Sequence, residues 1–433
     1  MTIANENDGN SGVEMYELIK ELYPICRSIT GNGVRKTLDI IRKHISLKVS
    51  EVPTGTTAYD WEVPKEWNIR DAYVKNQSGR KVIDWRKSNL HVLNYSIPIK
   101  RKMKLKELKK HLFTLPNQPN LIPYLTSYYK ENWGFCLSHN KLKKLAEGEY
   151  EIVIDSTLKP GHLTYGELFL TGELRDEVLF STYICHPSLC NDNLTGPAIL
   201  TFLAKSLLNK PLRYSYRFLF IPETIGAIVW LSRNEKAARN IKGGLVATCL
   251  GDSGQMTYKQ SKDGDSYIDR VVKKVLIDSN NPHKIIKFFP TGSDERQFSS
   301  PGFSLPIGCL TRTLYGRFPE YHTSADNLSF INSRHLAESF KHYEEIVFIL
   351  EHDRIYCSLN PYGEPRLGKR GLYGNIGGAK NKVAQEEALL WIMSYSDGNR
   401  SLLDISSISG IPFTLIKQAS DVLQKYGLLE EVK

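Results

Sequence analysis

The sequence predicts an α/β fold in which a mostly parallel central sheet carries helices on both faces, with an inserted mostly β domain and a C-terminal winged-helix module. Three observations lead to this prediction. From about residue 165 to 350, apolar strand-like runs alternate with helical segments, as in parallel sheets. From about 50 to 160, Tyr, Trp, Pro and Gly are frequent and alternation of period two appears. Residues 381–433 follow the order of elements in a winged helix.

Length and composition agree with several folded domains. At 433 residues the chain is too long for one ordinary core. Its 41% hydrophobic and 24% charged residues are typical of a globular protein. We predict the following domain boundaries: a discontinuous main α/β domain over 1–49 and 161–360, the inserted β-rich domain over 50–160, a linker over 361–380, and the winged helix over 381–433.

The individual elements follow from the spacing of apolar residues. Helical spacing predicts two helices within 12–46, broken at Thr30–Gly33. Alternation predicts strands at His91–Ile97 and Tyr150–Ile154 in the inserted domain. The remaining predicted elements are strands at Val178–Ile184, Tyr216–Ile221 and Leu245–Leu250, and helices over 194–208, 332–351, 383–395, 402–407 and 413–426.

Several classes of protein are disfavoured by the sequence. No window has the roughly 18 uninterrupted apolar residues of a membrane span. The first residues, MTIANENDGNSG, lack the basic start and apolar run of a secretory signal. The seven cysteines are scattered and odd in number, which indicates reduced thiols. We therefore expect a cytoplasmic protein without a membrane span.

The net charge of +10 raises the question of an anionic partner. Between Lys100 and Lys144 there are eleven Lys or Arg against two acidic residues. This stretch is either a solvated helix face or a patch for a polyanion, such as nucleic acid or an acidic glycan. The winged-helix module has five basic and seven acidic residues between Asn381 and Lys433. That balance favours a protein or dimer contact over DNA binding.

Polar clusters follow the predicted strands, where open α/β sheets place their ligands. The clusters are Cys185–Ser188 with Asn191–Gly196, then Pro222–Gly226, then Tyr321–Asn327. Imidazole and carboxylate groups are the usual ligands of hydrolytic zinc, and a further carboxylate is needed to accept a proton from the attacking water. His186, Asp192, His322 and Glu223 provide a complete minimal set of these groups.

These motifs resemble the zinc aminopeptidase superfamily, which includes glutamate carboxypeptidases and glutaminyl cyclases. The whole chain is similar to bacterial proteins with an aminopeptidase-like domain, an inserted β domain and a C-terminal winged helix, which often accompany cell-surface polysaccharide biosynthesis. The matching motifs are His186, Asp192–Gly196, Glu223 with Gly226, Gly292–Asp294, Tyr321–Thr323 before Asp326, and, for the subgroup, Tyr59–Pro64 and Gly363–Gly371.

The resemblance implies a role for each matching residue. His186 is the implied first metal ligand, Asp192 the carboxylate that bridges two metals in relatives, His322 the last ligand, and Glu223 the general base. The sequence departs from relatives at Ser188 and Thr224, where they have acids. The further acidic ligand has no clean match, because Thr248 takes its place in one alignment and Asp252 lies a few residues late. We therefore expect one zinc ion rather than two.

Four further residues are candidates for substrate binding. Arg312, Tyr315 and Arg317 precede the last predicted ligand and could bind a substrate carboxylate or the tetrahedral oxyanion. The alternative is that the arginines lie in a surface loop. Glu295 is an alternative base or an acid that binds an amine.

The leading hypothesis is therefore a metal-dependent, aminopeptidase-like hydrolase of an amide or peptide bond. Its expected substrate is a small molecule or a peptide-like compound, and a sugar-linked amide is one candidate. The alternatives are an inactive ligand-binding protein of the same fold, a winged-helix regulatory protein, and a nucleophilic hydrolase. The last has little support, because Ser188 and Cys185 lie in no Gly-x-Ser-x-Gly elbow.

Overall fold

The structure is a computed structural model that describes residues 7–372 and 380–432. Its contacts divide the chain into two compact units, one formed by Met1–Ile268 with Pro282–Lys341 and the other by Asp269–Asn281 with His342–Lys433. Residues 373–379 of the predicted linker lie outside the described residues, and the domain boundaries proposed above stay predictions.

The strands of the described residues form five sheets. In chain order they are β1 (Lys48–Pro53), β2 (Thr57–Ala58), β3 (Trp61–Glu62), β4 (Glu66–Lys75), β5 (Lys81–Asp84), β6 (Ile99–Lys104), β7 (Leu112–Phe113), β8 (Phe135–Cys136), β9 (Glu149–Lys159), β10 (His162–Leu170), β11 (Glu177–Tyr183), β12 (Ser215–Ile221), β13 (Ile241–Ala247), β14 (Met256–Lys259), β15 (His283–Ile286), β16 (Ile307–Thr311), β17 (Ile355–Ser358), β18 (Asp397–Ser401) and β19 (Leu429–Glu431).

The helices of the described residues fall largely between these strands. They are α1 (Asn7–Leu22), α2 (Asn32–Ile41), α3 (Leu105–Leu108), α4 (His139–Lys143), α5 (Thr195–Leu207), α6 (Ile225–Arg233), α7 (Glu235–Ala238), α8 (Tyr267–Asp278), α9 (Glu295–Phe298), α10 (Ser333–His352), α11 (Lys380–Tyr395), α12 (Leu402–Ser409) and α13 (Phe413–Lys425). None of the described helices is long and apolar enough to cross a bilayer.

The large sheet of the first unit has the order β1-β10-β12-β11-β13-β16-β14-β15. Its four central strands, β12, β11, β13 and β16, are parallel, and β10 and β14 join them antiparallel on either side. Every residue of β11 and β12 is buried, because helices and loops cover both faces of the sheet centre. The predicted parallel centre is confirmed, whereas the antiparallel strands were not predicted.

The sheet of the inserted region has the order β5-β4-β9-β6 and contains the basic run. Residues Ile99–Lys104 form its edge strand β6, with four of six side chains exposed, so the helix-face interpretation was wrong for this part of the run. Lys106, further along the run, does lie on helix α3. Charged side chains on an edge strand discourage pairing with another chain. The lysines of β6 are therefore explained by protection of a sheet edge.

The predicted strand at His91–Ile97 was also wrong. This segment is a buried loop that makes isolated bridges at Val92 and Asn94. The carbonyl of Ser96 accepts hydrogen bonds from Trp67 Nε1 and Ser156 Oγ, both at 2.8 Å. The alternation of polar and apolar residues here reflects polar groups that are buried with hydrogen-bond partners, not a half-exposed strand.

The second unit contains the winged helix, which is confirmed. Its strands form the sheet β18-β17-β19, and α11, α12 and α13 pack together. A capping box at Ser401 and Asp404 starts α12 and satisfies two backbone N–H groups at the helix end. The predicted helices at 402–407 and 413–426 match α12 and α13 closely.

Candidate metal centre

The loop that carries Asp192 is held by a second buried carboxylate, Asp326. Asp326 accepts hydrogen bonds from three successive backbone N–H groups, those of Cys190 at 3.1 Å, Asn191 at 2.6 Å and Asp192 at 2.9 Å. Burial raises the pKa of Asp326 to about 8, although these hydrogen bonds act to lower it. Asp326 thus fixes the backbone position of Asp192 without joining the cluster described below.

The residues after Asp192 start helix α5, which packs against the central strands β11 and β13. Asn193 Oδ1 accepts from the N–H of Gly196 at 3.0 Å, and its amide donates to Thr182 Oγ1 at 2.9 Å. A Cβ on Gly196 would lie 2.2 Å from the carbonyl oxygen of Ala247. Only glycine fits this close approach of helix and strand, which explains the Asn-Leu-Thr-Gly spacing.

His186 follows strand β11 and is almost fully buried. Its carbonyl accepts a hydrogen bond of 2.9 Å from Arg27 Nε, so the N-terminal region positions it. Burial lowers the pKa of His186 to about 4, which leaves a neutral imidazole at neutral pH. A neutral imidazole is the form that binds a metal ion.

His322 lies in the left-handed backbone region, with φ of 55°. Tyr321 stacks on its ring with centroids 3.9 Å apart, and the N–H of Tyr124 donates to its carbonyl at 2.8 Å. Non-glycine residues rarely adopt this conformation, and those that do are frequent at functional sites.

Tyr124, which belongs to the inserted region, forms a wall of the cluster. Its ring lies 5.1 Å from the rings of both His186 and His322. Burial, followed by the neighbouring Tyr128, raises the pKa of Tyr124 well above its ordinary value, so it stays a neutral phenol. The inserted region therefore contributes directly to this site.

Three of the predicted ligands come together. The ligand atoms of His186, Asp192 and His322 all lie within 4.8 Å of one another. Asp192 Oδ2 and His322 Nε2 are 2.8 Å apart, yet each is buried without a hydrogen-bond partner among the described residues. When His322 Nε2 carries no proton, these two atoms are acceptors that face each other and fit a shared cation. Two imidazoles with one carboxylate suit zinc.

Asp192 divides its two oxygens between different partners. Its Oδ1 accepts a hydrogen bond from the hydroxyl of Tyr183, which lies 2.7 Å from Thr248 Oγ1. Although burial acts to raise it, His186, His322 and Tyr183 together lower the pKa of Asp192 to about 2. Asp192 is therefore ionised, with only Oδ2 free for a cation.

Glu223 lies beside the three groups, at the end of β12. Its Oε2 is 3.7 Å from His186 Nε2, and its side chain keeps 27% exposure. Desolvation, followed by Asp294 and Asp192, raises the pKa of Glu223 well above its ordinary value. A second possible cation group joins Cys185, His186 and Glu223, but Cys185 Sγ already accepts from the N–H of Glu223 at 3.3 Å.

The positions that depart from relatives have other partners. Ser188 Oγ donates to the carbonyl of Tyr23 at 2.9 Å and accepts from Asn89 at 2.7 Å. The N–H of Thr224 donates to Asp294 Oδ1 at 2.6 Å. The surrounding loops thus hold the Ser188 side chain and the Thr224 backbone.

Asp252, the alternative third acid, is also engaged elsewhere. Its oxygens accept from Asn191 Nδ2 at 2.9 Å, from the N–H of Gly254 at 2.6 Å and from Thr313 Oγ1 at 2.6 Å. Within the described residues it belongs to neither cation group.

The two candidate arginines have different surroundings. Arg312 is buried, and it donates from Nε to the carbonyl of Gly254 at 2.9 Å and from Nη2 to Glu338 at 3.3 Å. These contacts stabilise the loop. They also use the guanidinium N–H groups that Arg312 would need to bind a substrate. Arg317 is exposed. The predicted substrate role is thus better suited to Arg317 than to Arg312.

Glu295 and Tyr315 meet at a lysine that the sequence analysis did not identify. Lys259 Nζ lies 2.6 Å from Glu295 Oε1, with both side chains fully buried, and 2.9 Å from the Tyr315 hydroxyl. It also donates to the carbonyl of Thr291 at 2.9 Å. This ion pair makes Glu295 a partner of Lys259 rather than a free base.

Loss of Lys259 is expected to be strongly destabilising. In Lys259→Met the carboxylate of Glu295 stays buried without its cation, which should cost about 3–5 kcal/mol of unfolding free energy. Chemical denaturation of the variant measures this loss. Lys259→Met with Glu295→Leu removes both charges and should recover much of it. As a control, Arg70→Met breaks an exposed pair with Asp155, and water already screens that pair, so its unfolding free energy should change far less. Equal losses at both sites would contradict the prediction.

The comparisons with known proteins agree with this architecture. The fold makes the chain an aminopeptidase-like α/β protein with a winged helix. Two family models match it: a domain of unknown function, DUF4910, over residues 16–353, and a winged helix-turn-helix over 354–431. The chain belongs to the DUF4910 family.

One relative matches nearly the whole chain. A protein of Clostridium acetobutylicum, provisionally named a polysaccharide biosynthesis protein with an aminopeptidase-like domain, is 56% identical over 427 residues, or 99% of this chain and 98% of that protein. A crystal structure from the same organism, described provisionally as a peptidase, is 55% identical with a TM-score of 0.94, over 99% of this chain and 98% of that one.

Two more distant structures share the fold alone. A zinc aminopeptidase from Bacillus subtilis is 12% identical with a TM-score of 0.57, over 78% of this chain and 94% of that one. An M28 peptidase precursor from Shewanella amazonensis is 12% identical with a TM-score of 0.55, over 80% of this chain and 95% of that one.

Proposed function

We propose that this protein is a zinc-dependent hydrolase of an amide or peptide bond that uses a single metal ion. One observation carries the proposal: the ligand atoms of His186, Asp192 and His322 lie within 4.8 Å of one another, beside the carboxylate of Glu223. Two imidazoles and one carboxylate, with a further carboxylate nearby, are the groups that metal-assisted hydrolysis requires.

The contacts of Asp192 support one ion rather than two. A carboxylate that bridges two metals needs both oxygens, whereas Asp192 Oδ1 is occupied by the hydroxyl of Tyr183. Uncharged Thr224 and Thr248 stand where a second site would need acids, and Asp252 is held by other partners. Among the described residues, this ligand set therefore serves one cation.

Each side chain has a separate task in the proposed reaction. The bound ion supplies Lewis-acid activation of water and of the scissile carbonyl. His186 stays neutral because it is buried, and Tyr321 orients His322 by stacking. Glu223 is placed to accept the proton of the attacking water and to pass it to the leaving amine. A cation beside Glu223 favours the ionised form that this step needs.

The substrate class rests on the relatives. Their fold and names concern peptidases and aminopeptidases, which act on peptide bonds, and the 56% identical relative is named for polysaccharide biosynthesis. We propose an amide attached to a sugar of a surface polysaccharide, processed in the cytoplasm. The partly exposed Glu223 and the exposed Arg317 are the groups that would meet such a substrate.

The winged helix is proposed to bind a protein or a second copy of the chain. In α13, which corresponds to a recognition helix, Lys417 is paired with Asp421 at 2.5 Å. This leaves Lys425, in the last turn, to meet a phosphate backbone. DNA binding usually requires several such contacts.

Metal content is the most direct test of the proposed function. Protein purified without chelators is expected to hold about one zinc ion per chain by elemental analysis, and to cleave at least one member of a panel of peptide and acyl-amino-sugar amides. A strong chelator should abolish turnover, and one equivalent of zinc should restore it. Two ions per chain would contradict the single-ion site. A metal-loaded protein that cleaves no amide would instead favour the inactive ligand-binding alternative.

A further inference from the structure

A basic groove lies in the inserted region, formed by residues from three separate segments. Its volume is about 650 Å³, and five of its fifteen lining residues are Lys or Arg against two Glu. The basic residues are Arg80, Lys81, Lys87, Lys141 and Lys144. None of these residues belongs to the candidate metal centre, and the proposed hydrolysis does not use them.

Three structural elements bring these cations together. Arg80 ends the turn between β4 and β5, and Lys87 lies in the short 3-10 helix Trp85–Lys87. Lys141 is on α4, and Lys144 follows that helix. About sixty positions of sequence separate the two halves of the groove. The fold, and not a local run of lysines, creates the concentration of positive charge.

Most of these cations have no acidic partner. Lys81 pairs with Asp84 at 3.4 Å. In the part of the chain that the structure describes, Arg80, Lys87, Lys141 and Lys144 form no ion pair. Glu147, one of the two lining acids, lies 3.9 Å from Lys109.

The unpaired cations also repel one another. Burial, followed by repulsion from Lys87 and Arg80, lowers the pKa of Lys141. Like charges held together in this way cost stability, and an anion that enters the groove would remove that cost.

The groove has the properties of a site for a small polar anion. A volume of about 650 Å³ is in the range of small-molecule pockets. Gln77 and the amide nitrogen of Asn76 add groups that can bind sugar hydroxyls, whereas Asn76 Oδ1 accepts from Ser78 Oγ at 2.8 Å and from the N–H of Arg80 at 3.0 Å within the turn. Tyr150, the one aromatic lining residue, is buried and its hydroxyl donates to the carbonyl of Ala146 at 2.7 Å.

Single-stranded nucleic acids are bound largely by stacking bases on exposed aromatic rings, which this groove lacks. We propose that the basic groove binds a carbohydrate that carries carboxylate or phosphate groups. This binding does not depend on the proposed hydrolase activity and is tested by affinity alone.

The test compares two exposed pairs of cations in the full-length protein. Arg80→Ala with Lys87→Ala removes charge from the groove. Lys100→Ala with Lys102→Ala removes the same charge from the exposed edge strand β6 and serves as the matched control. Calorimetry measures binding of trigalacturonate, glucose 1,6-bisphosphate, neutral maltotriose and a ten-nucleotide DNA at low ionic strength.

The proposal predicts that one or both anionic sugars bind and that maltotriose does not. The groove variant should bind the anionic sugar about tenfold more weakly, and the control within about twofold of the unmodified protein. Binding of trigalacturonate would indicate that the groove recognises carboxylates, and binding of glucose 1,6-bisphosphate would indicate that it recognises phosphates. Equal weakening in both variants would show a general charge effect and overturn the proposal. Absence of binding by both anionic sugars, or tighter binding of the DNA that depends on the groove, would also overturn it.

Discussion

Glu223→Gln is expected to lower turnover of an amide substrate by about 10²–10⁴-fold, while zinc content stays at one ion per chain. Glutamine keeps the size and shape of the side chain but cannot accept the proton of the attacking water. Glu223 is not one of the proposed ligands, which are His186, Asp192 and His322, so the variant should retain the metal. Steady-state kinetics together with elemental analysis of the same preparation measure both quantities.

An exposed glutamate provides the control for this variant. Glu173 lies in a loop before β11 and is exposed, so Glu173→Gln changes the same charge away from the site. Its turnover should match that of the unmodified protein. If Glu223→Gln retained full turnover with bound zinc, Glu223 would not be the base. Loss of zinc in this variant would instead indicate that the group of Cys185, His186 and Glu223 holds the ion.

His322→Ala is expected to remove both zinc and turnover. The variant deletes one of three proposed ligands and leaves Asp192 Oδ2 without the group that lies 2.8 Å away. Replacement of residues that only support a ligand commonly costs 10–100-fold in metal affinity, so loss of a ligand should cost at least about 100-fold. Competition with a zinc-binding dye measures the affinity directly.

Backbone strain has to be separated from metal loss in this experiment. His322 has φ of 55°, a conformation that asparagine tolerates better than alanine. His322→Asn should therefore fold as well as the unmodified protein and still bind zinc weakly. His335→Ala, which changes a histidine on α10 outside both cation groups, should leave zinc affinity unchanged. Retention of one tightly bound ion in both His322 variants would refute the proposed ligand set.

Taken together, the two experiments distinguish an enzyme from a binding protein. An enzyme loses turnover in both variants but loses the ion only in those at His322. If the protein is instead an inactive binding protein of the same fold, it would bind zinc through His322 but would have no turnover even without a substitution.

The parallel centre of the sheet and the winged helix could both be predicted from the pattern of amino acids. Strands β11 and β12 are mostly apolar, and helix α5 has apolar residues at helical spacing. Such segments must be buried on both faces or along one stripe, which leaves little choice of structure. The polar clusters at His186, Asp192, Glu223 and His322 could be recognised because they follow strands and match a known order of motifs.

Local patterns could also mislead. The polar residues of His91–Ile97 imitate strand alternation, yet they serve as buried hydrogen-bond partners in a loop. The basic run at Lys100–Lys104 imitates a helix face, yet strand pairing with β9 decided its structure. A pattern of six or seven residues does not show which strand the segment will pair with. That pairing decides whether the segment becomes a strand, a helix or a loop.

The side chains that surround the predicted ligands could not be predicted from local patterns, because they come from distant parts of the chain. Tyr124 reaches the two histidines from the inserted region, and Asp326 fixes the loop of Asp192 from more than a hundred residues away. Lys259 meets Glu295 inside the core, and the basic groove gathers cations from three segments. The sequence gives the chemical type of each side chain. The free energy of a contact also depends on the distance between its two groups, and that distance is fixed only when the chain folds.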